Sequence, residues 1–519
     1  MANEIELKLA LPKVAQALLL RQSVLRKAVS KTTHQLINLY YDTPGLALHK
    51  RGIALRLRKR GRVWLQTVKC AGSSAAGLTT RPEWEGPYLG QFDFAGIDAP
   101  AVRRWLERPE VRRQITPLFE TNFKRTTWRL EPRPGCVILL MLDRGWVAAA
   151  GRIEELSEIE IELAGAADAT SIDELFKIAQ TLGERLPLMP AILSKAERGY
   201  RLFKGSPHTP EKGRIVPLAF QDAPLGAFRK IALASLEHLQ GNLHGAIKSG
   251  DPEFIHQMRV ATRRLRAALR LFAPLLPAGL AEELVPELRT LTTRLGQARD
   301  LDVLLTEIAT PVMRALPNEP RLAALAGAIT DRQHSARAVA VRHLQSVAHG
   351  RLVLQATALL HRPPFLVPSD AMVEVTEAVG EFAATRLKRL RKKVLGLAAA
   401  ASIGDPASLH SLRIGIKRLR YALEFFSPLA DEKSLRRLLA TLAHLQDELG
   451  QLNDLANAGL LLMNCAGDDS RLREAVSLVG GWHASRHKGL LDQLPGKIEK
   501  LIRLKLPNLA RIRKAEIPT

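Results

Sequence analysis

The stretch EIELKLAL at residues 4–11 decides the fold of the amino-terminal region. Read as a β-strand, it places Glu4, Glu6 and Lys8 on one face and the apolar residues at positions 5, 7 and 9 on the other. A buried face that carries two carboxylates and an ammonium group needs partners or ligands for those charges. The stretch therefore predicts either a sheet with one solvated face or a site that binds a charged ligand.

Other segments before residue 205 show the same alternation, which predicts strands at 4–10, 53–59, 63–70, 80–86, 137–143 and 152–163, with helices near 13–28 and 171–184. Their charges are sorted by strand. Glutamates recur at Glu158, Glu160 and Glu162, whereas Arg56 and Arg58 share a face of another strand.

Two interpretations fit this pattern. An antiparallel sheet with one solvated face explains any single strand. A closed barrel with a charged lumen explains why several strands share the pattern and why the charges are segregated. Such a lumen is stable only if its charges are paired or ligated, for example by a chain of phosphates with a divalent cation.

Composition narrows the partners. The 519 residues carry a formal charge of +24, which favours polyanions. Aromatic residues make up only 5%, few for a protein that stacks single-stranded bases. The three cysteines fit neither a disulfide framework nor a zinc site. The start lacks the order of a secretory signal, and no apolar run reaches the ~18 residues of a membrane span, so we expect a soluble cytoplasmic protein.

The second part of the chain repeats itself. FIHQMRVATRRLRAALRLF, from Phe254, resembles SLHSLRIGIKRLRYALEFF, from Ser408; LGQARDLD at Leu295 resembles LGQLNDLA at Leu449, with the same offset of 154 residues. This duplication predicts two similar helical bundles. The Pro-rich stretches 205–217 and 361–370 suggest a domain at 1–203, a linker at 204–217, a helical domain at 218–505 with repeats at about 218–360 and 371–505, and a tail at 506–519.

Each repeat begins with a helix whose basic residues share one stripe at ~100° per residue. A solvated helix face explains one such stripe. Two copies, each with a histidine and few acidic residues, favour an anionic ligand, because like charges at this spacing repel. Metal binding by these histidines is the weaker interpretation, because neither histidine has a second ligand at i+4. RLKRLRKK (386–393) is either an extension of this basic surface or a solvated helix.

The amino-terminal motifs resemble the CYTH family, the triphosphate tunnel metalloenzymes. The hallmark ExExK is present at Glu4, Glu6 and Lys8. YYDTP (40–44), RGIALRLR (51–58), QTVK (66–69), RPEWE (81–85), LDRG (142–145), EIEIEL (158–163) and SKAERGY (194–200) follow in order. The resemblance covers roughly residues 1–203 and implies an α+β domain built on an eight-stranded antiparallel β tunnel.

The resemblance also implies roles. The phosphate-binding and catalytic residues would be Lys8, Arg56, Arg58, Lys69, Glu83, Glu85, Arg125 and Lys195. The ligands of Mg²⁺ or Mn²⁺ would come from Glu4, Glu6, Asp143, Glu158, Glu160 and Glu162, where the strand register leaves open which late glutamates bind. Glu83, Glu85 and Asp143 could serve as metal or water-positioning groups.

The helical motifs resemble the CHAD family over roughly residues 218–505. This implies an all-α domain of two pseudo-symmetric four-helix bundles around a basic groove that binds inorganic polyphosphate. The groove residues would be His256, Arg259, Arg263, Arg266, Arg270, Arg299, His410, Arg413, Lys417 and Arg420. The second copy departs from the motif at Asn453 and Ala456, and Glu424 replaces Arg270.

Chains that join these two domains resemble bacterial CYTH-CHAD inorganic triphosphatases. We therefore expect a metal-dependent enzyme that hydrolyses tripolyphosphate to diphosphate and phosphate, with polyphosphate bound at the helical domain. A thiamine or nucleoside triphosphatase, a cyclase and a non-catalytic polyphosphate-binding scaffold remain alternatives. No membrane, specific nucleic acid or obligate protein partner is expected.

Overall fold

The structure is a computed structural model that describes residues 3–165, 169–362, 365 and 377–509. Its strands are β1 Asn3–Ala10, β2 Ser30–Asp42, β3 Ile53–Arg60, β4 Val63–Cys70, β5 Ser73–Ala75, β6 Leu78–Pro87, β7 Thr116–Arg133, β8 Cys136–Ala149, β9 Arg152–Ala164 and β10 Met189–Pro190.

Eight strands close into an antiparallel barrel. They follow the order β1-β9-β8-β7-β2-β3-β4-β6, and β6 pairs back with β1. The short strands β5 and β10 extend the pairing of β6 and β1. The closed ring leaves none of the eight strands without two neighbours, which is how barrels remove sheet edges. The predicted eight-stranded tunnel is confirmed.

The apolar faces of the strands point out of the barrel. Leu7 and Leu9 of β1 and Ile161 of β9 are buried in a core that also contains Leu175 and Phe176 of α6, Ala169–Gly183. The outer face is therefore covered by packed helix, and the charged face must look into the lumen. This arrangement accounts for the apolar backing of EIELKLAL.

Several smaller helices surround the barrel: α1 Gln16–Leu19, α2 Ser23–Arg26, α3 Ala47–Lys50, α4 Pro100–Leu106, α5 Pro109–Arg112 and α7 Lys195–Lys204. The helix predicted near 13–28 is broken into a 3₁₀ turn, Lys13–Ala15, followed by α1 and α2. Strands β2 and β7 were absent from the strands that alternation predicted, because they mix polar and apolar residues less regularly.

The rest of the chain is mostly helical: α8 Pro224–Gly241, α9 Leu243–Lys248, α10 Pro252–Phe272, α11 Leu280–Val303, a π-helix Leu304–Ala309, α12 Thr310–Ala315, α13 Pro320–Leu344, α14 Val347–Leu360, α15 Val379–Ala399, α16 Pro406–Phe425, α17 Glu432–Ala466 and α18 Ser470–Arg503. Helices α10 and α16 begin at positions related by the offset of 154 residues. Among the described residues, none of the helices combines the length and apolar character that a bilayer span requires.

The contacts divide the chain into two compact units. The first contains Met1–Thr209 and Leu344–Leu366, and the second contains Pro210–His343 and Val367–Thr519. Helix α14 thus belongs to the barrel unit, where Leu354 and Ala358 are fully buried in the core beneath α6. The domain boundaries predicted from the sequence remain a prediction, and the compact units differ from them in this segment.

Candidate functional site: a charged tunnel and a basic groove

The barrel lumen holds a cavity of about 260 Å³. Twelve of the fourteen residues predicted for catalysis or metal binding line it. Asp143 and Glu158 do not; both are buried beneath Lys195. The lining residues are Glu4, Glu6, Lys8, Tyr40, Ala54, Arg56, Arg58, Lys69, Arg81, Glu83, Glu85, Phe123, Arg125, Glu160, Glu162, Ser194, Lys195 and Ala196.

One wall is an ion-pair ladder between β1, β4 and β6. The Lys69 ammonium donates to both Glu4 oxygens at 2.8 Å and lies 2.8 Å from Glu83. Burial opposes ionisation of Glu4, but Lys69 keeps its pKa below the ordinary value. Arg81 donates to Glu4 at 3.0 Å and to Glu6 at 2.8 Å. Opposite charges thus face each other across these strand pairs and compensate one another in the buried wall.

Lys195 gathers three carboxylates. Its ammonium lies 2.7 Å from Asp143 and 2.8 Å from Glu160, and it also donates to Glu158. Burial lowers the pKa of a lysine, but these carboxylates raise the pKa of Lys195 above its usual value. Arg125 donates to Asp143 through two nitrogens, at 2.7 and 2.6 Å. Helix α7 carries Lys195 as its first residue, fixed by a capping box between Ser194 and Glu197.

The lumen has a region with excess positive charge. Arg56 and Arg58 project from β3, and Arg58 donates to Asn38 at 2.9 Å. The carboxylate of Glu85 is 3.9 Å from Arg58, too far for a hydrogen bond. Burial, Arg56 and Arg125 lower the pKa of Arg58 to about 10. The pKa of an arginine is rarely lowered this far, so this region of the lumen, which we call the positive pole, lacks compensating negative charge.

The opposite excess lies where β1 meets β9. Glu6 pairs with Glu162 across the two strands, and Lys8 pairs with Glu160. Burial, together with Glu4, Glu6 and Glu160, raises the pKa of Glu162 to about 7. Like charges directly opposite each other destabilise a sheet unless a cation joins them. Among the described residues, Glu162 forms no ion pair that would offset this repulsion.

Two groups of buried or half-buried carboxylates in the barrel offer oxygens to a divalent cation. Asp143, Glu158 and Glu160 offer oxygens within 4.8 Å of one another. However, the Lys195 ammonium already contacts all three. Glu4 and Glu6 face the cavity beside Glu162, but cations contact them as well: Lys69 and Arg81 at Glu4, and Lys8 and Arg81 at Glu6. Glu162 is the member of this group that forms no ion pair among the described residues, and carboxylate oxygens are the ligands that Mg²⁺ and Mn²⁺ prefer.

Arg81 is the lumen residue that the predicted site omitted. It pairs with Glu4 in the register of β1 and β6 and bridges the two glutamates of the hallmark motif. The signal was present in the sequence, because Arg81 alternates with Glu83 and Glu85 and so shares their face. Tyr40 and Phe123 add aromatic surface, and Phe123 lies beneath Lys195 at 5.0 Å.

In the helical region, part of the predicted stripe converges. Burial and the neighbouring Arg263, Arg413, Arg259 and Arg420 lower the pKa of Lys417 to about 7. Arg259 also contacts Asp300 at 3.1 Å. Helices α10 and α16 contribute these cations and pack against each other, so like charges are brought together and repel one another. We call this set, Arg259, Arg263, Arg413, Lys417 and Arg420, the basic groove.

The remaining stripe residues lie around or away from the basic groove. Burial, then Arg299, lowers the pKa of His256, so this histidine is less readily protonated than the sequence suggests. His410 is exposed and lies 3.1 Å from Asn453. Arg266 neighbours Arg289, and Arg270 neighbours Arg418, so these two belong to a different cluster.

Comparison with known proteins agrees with the two-part organisation. The CYTH domain family model matches residues 2–200 and the CHAD domain family model matches residues 230–462. An inorganic triphosphatase of Haemophilus influenzae is 30% identical over 204 residues, which is 39% of this chain and 55% of that protein. The chain thus matches about half the length of that curated relative.

A solved structure resembles the helical region. The crystal structure of the CHAD domain from the plant Ricinus communis shares 34% identity with a TM-score of 0.51, and covers 59% of this chain and 100% of its own. The motifs, the closed barrel and the matched families agree in order and extent. The chain therefore carries a CYTH domain at residues 2–200 followed by a CHAD domain at residues 230–462.

Proposed function

We propose that the tunnel hydrolyses tripolyphosphate to diphosphate and phosphate with the help of a divalent cation. One observation carries this proposal: the lumen has two separated poles of unbalanced charge. The Glu85 carboxylate lies 3.9 Å from Arg58, and Glu162 lies opposite Glu6 across the strand pair with no ion pair among the described residues. A complex of phosphate chain and divalent cation supplies the missing charge at both poles. The triphosphatase name of the Haemophilus influenzae relative supports the same reading.

The side chains divide the work. Arg56, Arg58 and Arg125 would bind phosphate oxygens and hold the chain for in-line attack. Lys8, Lys69 and Lys195 would neutralise the charge that develops on the leaving diphosphate. Glu4, Glu6, Glu160 and Glu162 would hold Mg²⁺ or Mn²⁺. A bound cation of this kind neutralises phosphate oxygens and polarises the anhydride bond.

A carboxylate is also needed near the attacking water. Glu83 is engaged by Lys69 at 2.8 Å and by Arg56 at 3.3 Å. Glu85 accepts from Thr67 at 3.0 Å, and its contacts with Arg56 and Arg58 are long, at 3.8 and 3.9 Å. Glu85 is the less neutralised of the two, so it is the better candidate to orient water.

The lining favours an inorganic substrate. Charged side chains dominate it, with Tyr40 and Phe123 as its aromatic members. A thiamine or nucleoside triphosphate carries a ring system, and pockets that bind such rings are lined mainly by hydrophobic and aromatic side chains. A cyclase needs a base-binding pocket as well. Tripolyphosphate is therefore the leading substrate.

The test is phosphate release by the full chain from tripolyphosphate, ATP and thiamine triphosphate, each with Mg²⁺, Mn²⁺ or EDTA. We expect metal-dependent release that favours tripolyphosphate. Glu4→Gln with Glu6→Gln should lower turnover by about 10²-fold or more, since two proposed ligands are lost. Glu155→Gln, exposed on β9, is the matched control and should keep full activity. Turnover unaffected by the double variant would overturn the assignment of these two glutamates, whereas no release by the folded parent chain would leave a non-catalytic scaffold.

We further propose that the basic groove binds inorganic polyphosphate. Its cations repel one another, and a polyanion relieves that repulsion. Arg259→Ala with Arg413→Ala should weaken binding of long-chain polyphosphate about tenfold at ~0.15 M salt, without changing tripolyphosphate turnover. Arg437→Ala with Arg471→Ala removes the same charge from exposed positions and should have a much smaller effect. An equal loss of polyphosphate affinity in the two double variants would mean that the net charge of the protein, and not the basic groove, determines binding.

A further inference from the structure

A second cationic cavity lies in the helical region, apart from the basic groove. It has a volume of about 320 Å³, within the range of small-molecule sites. Five of its thirteen lining residues are cations and none is acidic. The cations are Arg270, Arg386, Arg389, Lys393 and Arg418, from helices α10, α15 and α16. We call it the α15 cavity.

The internal repeat provides a comparison for this cavity. At the offset of 154 residues, Arg264 corresponds to Arg418 and Glu424 corresponds to Arg270. Arg264 and Glu424 form an ion pair at 3.0 Å. Arg418 and Arg270 are instead two like charges, and burial together with Arg418 lowers the pKa of Arg270. The exchange of one carboxylate for an arginine therefore removes the carboxylate that compensates arginine in the other half, where Glu424 also contacts Arg420 at 3.1 Å.

The third helix shows the same difference. Phe228 of α8 corresponds to Phe382 of α15, so α8 is the counterpart of α15 at the same offset. Three cations of α15 replace small or apolar side chains of α8: Arg386, Arg389 and Lys393 stand where Ala232, Ser235 and Leu239 stand. The α8 residues are buried, whereas Arg389 and Lys393 are exposed. The three cations that α15 contributes to this cavity therefore have no cationic counterparts at the matching positions of α8.

The floor of the α15 cavity is apolar. Leu271, Leu390, Tyr421 and Phe425 line it between the cations. The rings of Tyr421 and Phe425 are almost parallel, at 17°, with centroids 6.3 Å apart. An apolar floor under a cationic rim matches a ligand that joins a flat ring system to a multiply charged group.

The α15 cavity adjoins the basic groove but has its cations on another part of α16. Arg418 is ~100° around the helix from Lys417, whereas Tyr421 borders both sites and interacts with Arg263 of the groove. Among the residues predicted for polyphosphate binding, Arg270 is the one that lines this cavity. A bare phosphate chain in the groove would leave the apolar floor unused.

We propose that the α15 cavity binds a nucleotide, with its phosphates on the five cations and its base on the apolar floor. Phosphate groups accept charge-assisted hydrogen bonds from arginine, and bases have an apolar face that suits leucine and aromatic side chains. The site does not depend on the proposed hydrolysis in the tunnel. If the site binds as proposed, the helical region has a second ligand site, which selects ligands that contain a ring system.

The test is calorimetric titration of ATP, and in a separate experiment of tripolyphosphate, into the full chain in EDTA. We expect one site that binds ATP at least about tenfold more tightly than tripolyphosphate, because only ATP has a base that covers the apolar residues. Arg389→Ala with Lys393→Ala should weaken it about tenfold, since two charged contacts are lost. Lys388→Ala with Lys392→Ala, two exposed cations of the same helix outside the cavity, should change the affinity less than twofold.

Three results would overturn the proposal: ATP that binds no more tightly than tripolyphosphate, equal losses in the two double variants, or unchanged affinity in Arg389→Ala with Lys393→Ala. Tripolyphosphate turnover with Mg²⁺ should be unchanged in that variant, so a failure of the proposed enzyme activity stays separate from a failure of this site. Leu390→Gln should weaken ATP several-fold and leave tripolyphosphate binding unchanged, which tests the apolar floor.

Discussion

At the scale of single residues, the basic groove contains one group that titrates near neutral pH. Four of its five members are arginines, which keep their charge at any ordinary pH. Lys417 is the exception, because burial and its arginine neighbours lower its pKa to about 7. An anion in the groove favours the charged ammonium and would return this pKa toward its usual value.

Polyphosphate binding should therefore weaken as pH rises from 6 to 8. Below pH 7 Lys417 is already charged, whereas above it binding must also take up a proton, so affinity falls by up to tenfold per pH unit. Lys417→Arg keeps the charge and should flatten the profile, measured by titration with long-chain polyphosphate at fixed salt. Lys433→Arg, an exposed control, should keep the slope. A parent profile that is already flat would contradict the assignment to Lys417.

At the scale of elements, α7 delivers a tunnel residue from outside the barrel. The capping box fixes its first turn, and Gly199 lies against Phe119 of β7. A Cβ at position 199 would come within 2.1 Å of the Phe119 ring. The absence of a side chain there sets how closely the helix approaches the barrel, and with it the position of Lys195.

Gly199→Ala should push α7 outward and impair the Lys195 contacts, because a Cβ has no room beside Phe119. We expect an unfolding free energy of the barrel unit lower by about 1–3 kcal/mol and a lower turnover of tripolyphosphate. Lys204→Ala, on the exposed end of the same helix, should leave both unchanged. The measurements are denaturant unfolding and phosphate release; wild-type values for Gly199→Ala would show that the close approach is dispensable.

The strands that alternate strictly could be predicted from the sequence, and α7 could not. β1, β3, β4 and β9 sort their side chains with period 2, so both faces were assigned correctly. Lys195, in the motif SKAERGY, was predicted as a site residue only through the family resemblance. Its contacts with Asp143 and Glu158 join residues far apart in sequence, and no local pattern encodes such a meeting.

At the scale of the whole molecule, the core of the barrel unit is completed by a distant part of the chain. Leu354 of α14 is buried against α6, and a Cβ on Gly183 would come within 2.9 Å of its side chain. A helical period shows that a segment is amphipathic but does not say which core it joins. This is why the sequence placed α14 with the other helices.

Leu354→Ala should lower the stability of the barrel unit by about 2–5 kcal/mol, as expected for a leucine removed from a packed core. The unfolding of this unit, followed by loss of tripolyphosphate turnover in denaturant, measures the change. Leu460→Ala, at a side chain that is 70% exposed, is the control and should shift the midpoint little. Equal midpoints for the two variants would mean that α14 packs on the barrel unit without stabilising it.

The same feature sets the order of events on the ribosome. About 150 residues separate the end of α7 from Leu354, and they take roughly 10–30 s to synthesise at ordinary translation rates. During that interval the barrel strands have already emerged, yet the apolar surface under α14 stays open. That surface must be kept from aggregating until α14, the last helix of the barrel unit, has been synthesised. Recovery of active enzyme should therefore depend on translation speed and on chaperones that cover apolar patches.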